Sequence, residues 1–114
     1  MEPAKSPRPI ISEFAGDPEM SELVRLFLGE LPQRVRALEA AWREQQVQTV
    51  ARMAHQLRGS SAGYGFPTIG SAAASLEESL RARTEADAQA VLERAAAEFR
   101  ALVDLCSRAC RPAA

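Results

Sequence analysis

Apolar residues recur at steps of three and four along most of the chain, which is the periodicity of helices with one face turned toward a core. The first such stripe consists of Met20, Val24, Phe27, Leu31, Val35, Leu38 and Trp42, widened by Leu23, Leu28 and Ala41. Asp17 and Pro18 give it a start signal, because aspartate caps helices and proline suits the first helical position. Pro32 lies inside the stripe, so the pattern predicts one long helix with a bend.

The second helix is predicted to begin near Val47, after a polar stretch, and to end near Tyr64. Gly65 then suits a left-handed terminator. Pro67 opens a third helix, whose smaller side chains allow close packing. Its inward stripe consists of Ile69, Ala72, Ala73, Leu76 and Leu80.

Residues 84–87 are predicted to form a turn with capping side chains, before a last helix that ends at Arg111-Pro112. Its stripe consists of Ala88, Leu92, Ala95, Phe99, Leu102, Cys106 and Ala109. The pattern of a strand occurs nowhere. Four helices with short connections predict an all-α fold, an antiparallel up-and-down four-helix bundle with helices about 20° from parallel.

Three segments follow from this pattern: a proline-rich, partly disordered leader at 1–16, the bundle at 17–110 and a tail at 111–114. Proline at positions 3, 7 and 9 prevents a helix in the leader. Ile10, Ile11 and Phe14 are expected to tuck a short turn against the bundle. At 114 residues the chain is long enough for one domain with its own core.

The net charge is −1, and acidic and basic residues are interspersed along the chain. They provide neither a basic face for nucleic acid nor a polybasic patch for a membrane surface. No stretch approaches the roughly 20 apolar residues of a membrane span, and the N-terminus lacks the apolar core of a signal peptide. We therefore expect a cytoplasmic protein that binds neither nucleic acid nor membranes. Because the polar faces of the predicted bundle are well populated, we expect a monomer.

Cys106 and Cys110 are four residues apart in a helical pattern, too few and too close in sequence for a disulfide framework. Reduced thiols are the simplest interpretation. A metal site would need further ligands, and the single histidine of the chain is far away in sequence. We expect no metal and no cofactor.

That histidine, His55, falls on the polar side of the second helix. Its neighbours on that face are Gln48, Arg52, Gly59 and Ala62. Gly59, one turn on, costs a helix interior roughly 1 kcal/mol relative to alanine, so its presence needs a reason. Access is such a reason, since nothing above the glycine would hinder a large partner that approaches the ring.

The run His55, Leu57, Arg58, Gly59, Ser60, Ser61 and Gly65 resembles the motif of the histidine phosphotransfer (Hpt) domain. In that family a helix-borne histidine is followed by an apolar residue, a basic residue, glycine and small residues. The flanking helical patterns also match in order and length, from about Asp17 to Leu105. The family usually has lysine at the position of Arg58, a departure that keeps the charge but changes the donor geometry.

The resemblance implies that His55 accepts a phosphoryl group, for which a neutral imidazole has a free lone pair. Arg58, and also Arg52 on the preceding turn, could stabilise the phosphoryl charge, and we prefer Arg58 because it matches the family's basic position. For Arg52, a solvated arginine is an equally good interpretation. Glu77 occupies a position where the family often has a polar side chain that contacts the histidine. It would orient the imidazole, or else be a solvated charge beside Glu78.

The implied partners are response-regulator receiver domains, including one that belongs to a hybrid histidine kinase. The receiver would supply Mg²⁺ and most of the catalytic groups, so the chain would be a phosphocarrier rather than an enzyme. The expected docking residues are Gln48, Ala51, Arg52, Gly59 and Ala62, with parts of the first helix.

Two other functions are open at this stage. A helical adaptor would bind a signalling partner through the same bundle and never carry phosphate. A metalloprotein or hydrolase is a weaker alternative, because the chain lacks the paired carboxylate and histidine ligands of bundle metal sites.

Overall fold

The computed structural model describes residues 8–82 and 87–110, which form five helices and one pair of very short strands. The elements are β1 (Ile10–Ile11), α1 (Pro18–Arg43), α2 (Val47–Gly63), α3 (Pro67–Ala82), α4 (Ala88–Arg94), α5 (Ala96–Arg108) and β2 (Ala109–Cys110). The part of the predicted leader before residue 8, residues 84–86 of the predicted turn at 84–87 and the predicted stop at 111–112 lie outside the described residues.

The predicted boundaries of the first three helices are confirmed. Asp17 caps α1, its Oδ1 accepting a hydrogen bond of 2.9 Å from the Glu19 N–H, and Pro18 is the first helical residue. Pro32 lies inside a single continuous α1. Gly65, at φ +89°, reverses the chain after α2, because glycine adopts a left-handed conformation without a steric penalty.

The prediction of one final helix was wrong, because the chain divides at Ala95 into α4 and α5. The Ala95 N–H is shared between the carbonyls of Val91 and Leu92, at 3.2 and 3.1 Å. The short α4 thereby buries Val91 and Leu92 together and packs against α2, α3 and α5. The apolar spacing runs through this break unchanged, so it carries no signal of the division.

The four longest helices close a ring of contacts around the core, in which α2 packs on α3, α3 on α5, α5 on α1 and α1 on α2. Phe27 of α1 stacks on Tyr64 and Phe66, and Trp42 stacks on Phe99 with 4.1 Å between ring centroids. Leu23 departs from the predicted stripe, since it is 44% exposed at the edge of the core-facing surface.

The segment before α1 packs against the far end of α2. The Ser12 hydroxyl donates a hydrogen bond of 2.6 Å to the Tyr64 carbonyl, and the Glu13 N–H donates one of 2.8 Å to the Gly65 carbonyl. Ile10 and Phe14 are partly buried against the core, as expected, but Ile11 is exposed. The sequence shows no strand pattern, because β1 and β2 pair in parallel over only two residues each, too few to leave an alternating pattern.

Candidate functional site

Close contact between α2 and α3 creates the site. Gly70 of α3 lies against the α2 backbone, where an added Cβ would stand 3.2 Å from the Arg58 carbonyl oxygen and 3.5 Å from the Ala62 nitrogen. Glu77 lies two turns further along the same face of α3. The close approach of the two helices at Gly70 therefore brings Glu77 within reach of the His55 and Arg58 side chains of α2.

Glu77 is buried, with 2% of its surface exposed, and both of its carboxylate oxygens are occupied. Oε1 accepts a hydrogen bond of 3.2 Å from Nη1 of Arg58. Oε2 lies 3.0 Å from Nδ1 of His55 and 2.8 Å from Nη2 of Arg81. A buried carboxylate is costly unless donors surround it, and these three side chains are its donors.

The pKa of Glu77 reflects the competition between burial and these neighbours. Burial raises the pKa, but the hydrogen bonds from Arg58 and His55 and the charges of Arg81 and His55 outweigh it, and the net shift is downward. Glu77 is therefore ionised at neutral pH, so it can only accept hydrogen bonds.

This shift predicts a stability effect on the acid side. A carboxylate with a lowered native pKa stabilises the fold above its unfolded value of 4.5, and this contribution is lost as the pH falls through the native pKa. We expect the native chain to lose stability below about pH 4.5 more steeply than Glu77→Gln, when urea denaturation is measured at pH 7 and at successively lower pH. Parallel curves for the two chains would contradict the lowered pKa.

His55 combines an anchored nitrogen with an open one. Its side chain is 63% exposed, while Nδ1 contacts the buried carboxylate. Because ionised Glu77 accepts only, we assign the proton of the neutral ring to Nδ1. Nε2 is then left with its lone pair, on a ring whose orientation the hydrogen bond fixes. This arrangement is that of a nucleophile ready to attack an electrophile from solvent.

The structure brings His55, Arg58 and Glu77 together, although their roles remain predictions. The solvated interpretation of Glu77 does not fit its burial. Gln48, Arg52, Gly59 and Ala62 are exposed around the ring, and Ala51 is half-buried. Above Gly59 an added Cβ would meet nothing within 4 Å, so the space that the access argument requires is present.

The sequence interpretation missed Arg81, the third donor to Glu77. The signal was its position four residues after Glu77, a spacing at which glutamate and arginine pair on a helix surface. With Gln48, Ala51 and Arg52 it lines a groove of about 400 Å³ beside His55. Arg58 does not line this groove.

No group of three or more His, Cys, Asp or Glu side chains that could hold a metal ion occurs within residues 8–82 and 87–110. None of the helices in this part of the chain is both long and apolar enough to cross a membrane. Cys106 has a free, buried thiol, and burial raises its pKa to about 12. A thiol with so high a pKa is protonated and unreactive at neutral pH.

The model of the Hpt domain family matches residues 22–109. The chain belongs to the Hpt domain family. No curated protein and no solved structure matches it. The matched region of this Hpt domain extends from the first turns of α1 to β2 and includes the whole site around His55.

Hpt domains are helical phosphocarriers of phosphorelays, in which they interact with receiver domains. They are not catalysts by themselves. Family membership thus gives the class of chemistry, histidine phosphotransfer.

Proposed function

We propose that this Hpt domain is a cytoplasmic phosphorelay intermediate that accepts a phosphoryl group on Nε2 of His55 from a receiver-domain phosphoaspartate. It passes the group to a second receiver, and the transfer is reversible. The observation that carries the proposal is the contact between His55 Nδ1 and buried Glu77, which leaves the other nitrogen of an exposed ring open. Family membership supports the same chemistry.

In the forward step the Nε2 lone pair forms a bond to phosphorus as the bond from phosphorus to the aspartate oxygen breaks. The aspartate leaves as a carboxylate with that electron pair. The proton on Nδ1 stays in place, so the ring becomes positively charged, and the Glu77 carboxylate stabilises this charge. In the reverse step the electron pair of the nitrogen–phosphorus bond returns to Nε2.

The remaining roles divide between the two proteins. Arg58 secures the Glu77 carboxylate through its hydrogen bond of 3.2 Å to Oε1. The receiver supplies Mg²⁺, since phosphoryl transfer depends on positioning and charge stabilisation that this chain provides only in part. This division makes the chain a carrier and not an enzyme.

Docking would cover the exposed residues around His55 together with part of α1. A second groove, of about 580 Å³, runs between α1 and α2 on the side of His55 away from α3, with an apolar floor that includes Val35, Leu38 and Leu57. An apolar centre with a polar rim is typical of transient protein interfaces. We propose that the monomer binds one receiver at a time here, including the receiver of a hybrid kinase.

The test is incubation of the native chain with a panel of phosphorylated receiver domains. Label that is acid-labile and base-stable, and that maps to the peptide containing His55, would support the proposal. Receivers that bind the chain without transferring label would favour the adaptor function instead.

Gly59→Leu is expected to slow transfer at least tenfold, because the leucine adds bulk where the receiver approaches. Gly59→Ala is the matched control, since it removes the glycine without reaching far from the helix. It should stabilise the fold by about 1 kcal/mol and leave transfer nearly unchanged. Transfer kinetics with a phosphorylated receiver and thermal unfolding would be measured for both. Native rates in Gly59→Leu would refute the access argument.

A further inference from the structure

The groove between α2 and α3 concentrates positive charge beside His55. Its lining consists of Val47, Gln48, Ala51, Arg52, His55, Leu80 and Arg81, with two arginines and no carboxylate. Glu77, the nearest acid, is buried behind the ring and bound by its three donors. A concave surface with this charge attracts anions.

Arg81 is held next to the imidazole. Its Nη2 and the His55 Nδ1 contact the same oxygen of Glu77, at 2.8 and 3.0 Å, so the guanidinium is adjacent to the ring. The side chain is nevertheless 67% exposed. A guanidinium has five N–H donors, so the contact with Glu77 leaves others free to face the groove. Because Glu77 already restrains this arginine, it loses less freedom when it binds an anion.

Arg52 faces the same space from α2. It lies one turn before His55 and is exposed, and it makes no hydrogen bond or ion pair to the part of the chain that the structure describes. Arg58 differs from Arg52 and Arg81, since it lies outside the groove. It binds Oε1 of Glu77, whereas Arg81 binds Oε2. Arg52 on α2 and Arg81 on α3 therefore line opposite walls of the groove beside the His55 ring.

We propose that Arg52 and Arg81 form an oxyanion site that holds the phosphoryl group of phosphorylated His55 in this groove, whereas Arg58 acts by positioning Glu77. This proposal rests on the proposed function, because the ligand is the phosphoryl group that the ring carries. Both guanidinium groups would donate charge-assisted hydrogen bonds to its oxygens. Arg58, the basic residue of the family motif, would then support the oxyanion site without lining the groove.

The equilibrium between phosphorylated receiver and phosphorylated Hpt domain measures this stabilisation directly. Hydrogen bonds to charged groups contribute about 1.5–3 kcal/mol, so Arg52→Ala and Arg81→Ala should each shift the equilibrium about tenfold or more toward the receiver. Arg25→Ala is the control variant, which also removes one positive charge. Arg25 is an exposed arginine of α1 that pairs with Glu22. It should leave the equilibrium unchanged. A native equilibrium in Arg52→Ala would overturn the proposal.

A double variant separates phosphoryl contact from support of Glu77. If Arg81 binds the phosphoryl group, its replacement should still shift the equilibrium in a Glu77→Gln background. Disappearance of the effect there would show that Arg81 acts only through Glu77, and would overturn its place in the oxyanion site.

A measurement without a receiver distinguishes this proposal from the phosphorelay function itself. The native chain, labelled with ¹⁵N, would be phosphorylated with phosphoramidate, and the arginine side-chain signals would be followed by NMR. Larger shifts for Arg52 and Arg81 than for Arg58 are expected, and the reverse order would contradict the oxyanion site. Failure of all receivers to label the chain, with these shifts intact, would refute only the relay.

Discussion

Replacement of His55 by glutamine is expected to abolish phosphoryl transfer completely. An amide nitrogen has no basic lone pair, so the variant loses the nucleophile and no other residue replaces it. Glutamine can still donate a hydrogen bond to Glu77, and the replaced side chain is 63% exposed, so the fold should survive. Transfer from a phosphorylated receiver, with circular dichroism as the check on folding, measures both results.

A positional control tests whether the site, rather than any exposed histidine, carries the reaction. Gln56 is also exposed and directly follows His55. The double variant His55→Gln/Gln56→His has the same composition, but its imidazole is turned about 100° around α2 and away from Glu77. It should remain unlabelled. Label on this variant would show that Glu77 is dispensable, and label on His55→Gln alone would identify another acceptor.

The parts of the fold that the sequence predicted are those with strong local signals. Asp17 with Pro18 marks a helix start by capping chemistry, and Gly65 before Pro67 marks a reversal, so both boundaries were predictable from a few residues. The division of the last helix was not, since Ala95 is an ordinary helix former inside an uninterrupted stripe. The strand pair depends on residues that are distant in sequence and are brought together only by the folded chain.

Prediction of the candidate site from the sequence was limited in the same way, to residues with strong local signals. His55 and Gly59 stood out because one is the single histidine and the other is an unfavourable residue inside a helix. Contact between Glu77 and the ring came from the family resemblance, because single-residue patterns do not fix how two helices align. That alignment depends on the close approach at Gly70. The same alignment of the helices directs Arg58 toward Glu77. From its spacing relative to His55, the Arg58 side chain had been expected to be free to contact a phosphoryl group.

Gly65→Ala is expected to destabilise the fold by about 2–4 kcal/mol. A left-handed conformation costs a residue with a Cβ about 1–2 kcal/mol, and Gly65 has φ +89°. The new Cβ would also collide with Ser12 Oγ and stand 2.9 Å from the Glu13 nitrogen. Relief of that collision would disturb the hydrogen bonds through which residues 12 and 13 hold the end of α2.

Gly63→Ala is the control that isolates this cause. Gly63 ends α2 only two residues earlier, its φ is not in the left-handed region, and an added Cβ would meet nothing within 4 Å. Alanine should therefore be neutral there or stabilise the helix by up to about 1 kcal/mol. Urea denaturation of both variants gives the comparison. In a Ser12→Gly background the cost of Gly65→Ala should fall, since the Oγ is gone, but the backbone penalty should remain. Equal stability of Gly63→Ala and Gly65→Ala would contradict both the backbone argument and the packing of the N-terminal segment against α2.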